Sequence, residues 1–61
     1  MEKLDWEEII LNVGKPVWDS KENKWRVLEG YKKILDKSCI KYTDSINWYD
    51  FKSSKLYLKE R

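Results

Sequence analysis

Sixty-one residues carry 13 Lys and Arg against 11 Asp and Glu, a net charge of +2, with one cysteine and no histidine. So short a chain makes one domain; it offers no intrachain disulfide, no His/Cys metal cluster and no histidine-based catalytic group. The small charge excess also falls short of the basic stripe that a dedicated nucleic-acid binder carries.

The first segment predicts a helix over about 3–12. Trp6, Ile9, Ile10 and Val13 recur at helical spacing and form one apolar face, flanked by Leu4. Glu2, Asp5, Glu7 and Glu8 crowd its start, where acids complement the helix dipole. Asn12, Gly14 and Pro16 end it. With an acidic, amphipathic beginning and no long apolar run, neither a signal peptide nor a membrane span is expected.

After Pro16 the period changes from 3.6 to 2, and the rest reads as strands. The first covers about 17–19, with Val17 inward and Trp18 outward. A polar stretch, Asp19 to Lys24, leads to a second strand over 25–32, with Trp25 and Val27 assigned inward and Arg26 and Leu28 outward. Gly30, isolated within that strand, predicts a bulge or bend. A hairpin pairs 38–43 with 45–49 around Asp44-Ser45. Tyr49 to Ser54 reads as a single helical turn, and the last strand covers 55–59, with Leu56 and Leu58 inward. The predicted core is Ile9, Val13, Val17, Trp25, Val27, Ile40, Tyr42, Ile46, Trp48, Leu56 and Leu58. The fold class is therefore α+β and mostly β: a short N-terminal helix, then a small five-stranded antiparallel sheet, as an SH3-like barrel or a curled sheet.

Nine residues are aromatic. Each buries roughly 150–250 Å² when enclosed, too much for so small a core to hide all nine, so some must lie on a contact face. Catalytic chemistry lacks parts. Cys39 has no histidine beside it and reads as a packed thiol. Glu7 and Glu8 are adjacent on a helix and point to different faces. Asp44 and Asp50 sit in turns, where aspartate caps backbone groups. Gly14 and Gly30 start no phosphate loop. No cofactor, metal or enzymatic activity is expected. A lone thiol suits a reducing compartment, so a cytoplasmic location is expected.

The run Val13-Gly14-Lys15-Pro16-Val17-Trp18, followed by Trp25-Arg26-Val27-Leu28, is similar to a group of small uncharacterised bacteriophage and prophage proteins. Asp50-Phe51 and Leu56-Tyr57-Leu58 resemble their acid-aromatic turn and final strand. The chain departs from them at Ser53-Ser54-Lys55, with Leu56 standing where they carry a tryptophan. The resemblance implies a phage-type accessory protein in a bacterial host, one that interferes with a host defence system.

The reading that follows is a non-enzymatic protein that binds and blocks a host protein through an aromatic and basic face, acting as a homo-oligomer. The residues assigned to that face are Trp18, Arg26, Tyr31, Lys32, Lys33 and Tyr57. Two alternatives share most of these residues. One is a nucleic-acid-binding module, with aromatics stacking bases and cations, Lys55 among them, on phosphates. The other is a sponge for a signalling nucleotide at an oligomer interface.

Overall fold

The computed structural model describes residues 3–61. Glu2, expected among the acids at the helix start, lies outside the described residues. Helix α1 (Trp6–Leu11) is shorter than its apolar stripe because Asp5 caps it. The Asp5 carboxylate accepts the Glu8 N–H at 2.8 Å, and the Glu8 carboxylate accepts the Asp5 N–H at 3.0 Å. This reciprocal pair is a capping box. Past the helix, Gly14 takes φ +86°, a left-handed conformation that suits glycine. Its N–H donates to the Leu28 carbonyl at 2.8 Å, which turns the chain onto the sheet.

Five strands follow: β1 (Pro16–Asp19), β2 (Lys24–Ile34), β3 (Lys37–Tyr42), β4 (Trp48–Asp50) and β5 (Leu56–Tyr57). They form one antiparallel sheet in the order β4-β3-β2-β1-β5. The fold is α+β, mostly strand, with a curled sheet. It does not close as a barrel, since β4 and β5 are the two edge strands and do not pair with each other. A 3₁₀ turn (Phe51–Ser53) precedes β5. The outer edge of β5 receives the Leu4 N–H on its Leu56 carbonyl at 2.8 Å. The register of β2 against β3 shifts between Leu28 and Gly30, as the isolated glycine predicts, leaving Glu29 as the extra residue.

The core cluster is Leu4, Ile9, Val17, Leu28, Ile40, Tyr42 and Leu56, with Trp6, Tyr49 and Phe51 packed against it. Ile9, Val17, Ile40, Tyr42 and Leu56 are buried as expected. Val13 and Val27 are only half-buried. Four expected core residues are exposed instead: Trp25, Ile46, Trp48 and Leu58.

Register explains Trp25 and Trp48, and the limits of the strands explain Ile46 and Leu58. Val17 pairs with Arg26 and Trp18 with Trp25. Direct partners share a face, so Arg26 follows Val17 inward and Trp25 follows Trp18 outward. Likewise Ile40 pairs with Tyr49 and Lys41 with Trp48, which gives the inner place to Tyr49 and the outer to Trp48. Ile46 lies in the 43–47 loop, since the ladder stops at Trp48. Leu58 falls just beyond β5, where pairing has ended.

Candidate functional site

The six residues assigned to one face occupy three places. Trp18 and Tyr57 stand on the outer face of the sheet, away from the core. Trp18 pairs with Trp25 on one side and Tyr57 on the other, so β2, β1 and β5 carry a row of three aromatics. The Trp18 and Trp25 rings meet edge to face at 5.5 Å between centroids, a favoured aromatic geometry. The Arg61 guanidinium lies 4.5 Å from the centre of the Tyr57 ring. Trp18 points outward as its parity predicts, but it is not exposed. Its neighbours leave it 7% accessible, whereas Trp25 keeps 45%. Trp18 therefore serves as the base of the row and Trp25 as its accessible member. The Trp18 indole N–H is buried and finds no acceptor among the described residues.

Arg26 lies on the opposite face and is buried. Its guanidinium sits 3.8 Å above the Tyr42 ring. Nη1 donates to Asp19 at 3.2 Å, and Nη2 donates to Asp44 at 2.9 Å. Lys24 also reaches Asp44, at 3.4 Å. Burial by itself would lower the Arg26 pKa, but the hydrogen bonds it donates to Asp44, Tyr49 and Asp19 outweigh it and hold it above its ordinary value. The same contact with Arg26 holds the Asp44 carboxyl below the usual range. Burial, then the negative charge of Asp19, pushes the Tyr42 phenol up to about 12. Tyr49 moves the other way, through its hydrogen bonds to Ser45 and Arg26.

These groups line a polar cleft of about 410 Å³ between the β1–β2 turn, the β3–β4 loop and the 3₁₀ turn. Arg26, Lys24, Asp19 and Asp44 neutralise one another there. Asp19 also accepts the N–H groups of Lys21 and Glu22, which fixes the β1–β2 turn. Arg26 is thus a structural tie between two loops, and it is not part of an exposed basic face. Among the described residues no group of three His, Cys, Asp or Glu is placed to hold a metal ion.

Tyr31, Lys32 and Lys33 lie together on the β2–β3 hairpin. Tyr31 shares the inner face with Ile40 and meets Trp6 edge-on at 5.7 Å. Lys32 turns outward, with its ammonium 4.2 Å from the centre of the Trp48 ring. Cys39, directly opposite Lys32, is buried on that face. Lys33 is exposed.

Trp25 and Trp48 are the surface aromatics that the sequence reading placed in the core. The signal for Trp48 was present: counting inward from the Lys41–Trp48 pair brings Asp44 and Ser45 to the middle of the loop. That turn already dictates that Ile40 faces Tyr49. No helix among the described residues is long and apolar enough to cross a membrane. No protein-family model matches the chain, and no curated protein or solved structure matches it.

Proposed function

We propose that this is a non-enzymatic binding protein whose partner is another protein, docked on the outer aromatic row. The observation that carries the reading is Trp25, 45% exposed on the solvent side of the sheet and braced from beneath by Trp18. A large ring held in place by a second ring loses little side-chain freedom on binding. Tryptophan anchors of this kind dominate interface energetics. In the setting implied by the phage-protein resemblance, the partner is a host defence factor in the bacterial cytoplasm, blocked by occupation of its surface. The reading includes self-association. Among the described residues eight large apolar side chains stay exposed, and small domains commonly gain stability by oligomerising.

Affinity purification of the tagged protein from bacterial host lysate, alongside Trp25→Ala, tests this. A host protein retained by the parent at stoichiometric level and lost by the folded variant is the expected result. Identical retention by the two proteins would remove the aromatic row from the interface.

A further inference from the structure

The far end of the β2–β3 hairpin is not explained by the aromatic row. β2 runs for 11 residues, about twice the usual strand length. Every residue from Tyr31 to Lys37 is exposed. The ladder closes at Ile34 and Lys37, so Leu35 and Asp36 form the turn. Leu35 adopts φ +57° there and is 94% exposed. Left-handed backbone disfavours a bulky L-residue, and glycine, asparagine or aspartate is the usual occupant of such a turn. A side chain so exposed gains almost no packing within its own protein. Neither backbone preference nor burial accounts for leucine at this tip, and strain held at an exposed position is a mark of a docking element.

Apart from the exposed Asp36 carboxylate in the turn itself, the charges beside it are cations, arranged on both sides of the ribbon. Lys32 lies on the outer face with Ile34 and Lys37, whereas Lys33 lies on the inner face opposite Ser38. Among the described residues Lys33 and Lys37 form no ion pair. A flat acidic surface would meet cations on one side only. Cations on both sides fit a groove with two anionic walls. The major groove of duplex DNA, about 12 Å wide, admits a two-stranded β-ribbon, and an apolar tip can contact thymine methyl groups there.

We propose that the β2–β3 hairpin is an arm that enters the major groove of duplex DNA, with Lys32, Lys33 and Lys37 on phosphates and Leu35 against base edges. This site is separate from the aromatic row and does not depend on it.

Fluorescence anisotropy with a short fluorescein-labelled DNA duplex tests the arm. Three neutralised phosphates give a log–log salt slope of about −2.7, so affinity falls about 40-fold between about 50 and 200 mM salt. The double variant Lys33→Ala, Lys37→Ala should reduce that slope to about −0.9. Leu35→Asn suits the left-handed turn and should stay folded with the slope intact, yet bind about tenfold more weakly. No duplex binding at low salt, or an unchanged slope in the double variant, overturns the proposal. So does equal binding to polyglutamate or to mixed phosphatidylcholine–phosphatidylserine vesicles. Trp25→Ala should leave duplex binding unaltered, so failure of the arm and failure of the aromatic row are read separately.

Discussion

Val17 and Arg26 are direct partners across β1 and β2, and both side chains are buried on the inner face. An aliphatic residue and a guanidinium thus share one stretch of a very small core. The sheet tolerates this because Asp19, two residues along β1 on the same face, and Asp44, from the β3–β4 loop, close on the charge.

Arg26→Met tests that arrangement. It leaves the 7%-exposed Asp19 carboxylate without its counter-ion. Breaking one side of a buried pair costs about 3–5 kcal/mol, and small domains have only about 5–15 kcal/mol in total. Urea denaturation should show most of the stability gone. The double variant Arg26→Met, Asp19→Asn, which removes the stranded charge and keeps an acceptor for the Lys21 and Glu22 N–H groups, should recover much of it, and a single variant as stable as the parent would show that the pair is not fastening the loops.

Stability should fall at both ends of the pH scale. The Asp44 pKa is lowered in the folded state by its hydrogen bond to Arg26. Its contribution is therefore present above the unfolded carboxyl pKa and is lost as pH falls through the lower folded value. Tyr42 is raised from 10.0 to about 12. Its contribution is present below the unfolded value and disappears as pH rises through the folded one. Melting curves across pH should flatten in acid for Asp44→Asn and in alkali for Tyr42→Phe.

The two partnered tryptophans should separate cleanly. Trp18→Ala empties a buried site and should cost roughly 3–5 kcal/mol. Trp25→Ala removes a half-exposed ring and its edge-to-face contact, about 0.5–1.5 kcal/mol. Thermal melts compare them directly. Equal losses would mean that Trp25 is as enclosed as Trp18 in solution.

Self-association should appear at micromolar concentration as a scattering mass that is a multiple of 7.5 kDa. The exposed apolar side chains and the short chain are the physical motive. A monomer throughout the concentration range would instead point to stability from internal packing alone.

Local chemistry made much of this structure legible in the sequence. Asp5, Glu7, Glu8, Gly14 and Pro16 bracket the helix, Gly30 marks the irregularity in β2, and the change of period after Pro16 marks the sheet. Faces were harder, because a one-residue error inverts a whole strand. Trp25 and Val27 look more apolar than Arg26 and Leu28, so hydrophobicity alone turns β2 the wrong way. What decides it is distant: Asp19 and Asp44 supply the carboxylates that let Arg26 go in. Trp18 shows the matching limit for the site. Its outward direction follows from Val17, yet its burial depends on Trp25 and Tyr57, which only the pairing of three strands brings alongside.

The bond from Leu4 N–H to the Leu56 carbonyl joins segments 52 positions apart, and β5 lies against β1 rather than its sequence neighbour β4. The β2–β3 hairpin can form from adjacent residues, but the sheet edge is sealed only when the Leu4 and Leu56 segments meet. Closing so long a loop is slow relative to hairpin formation. On a ribosome, the domain therefore stays unfinished until Leu56 and Tyr57 have left the exit tunnel.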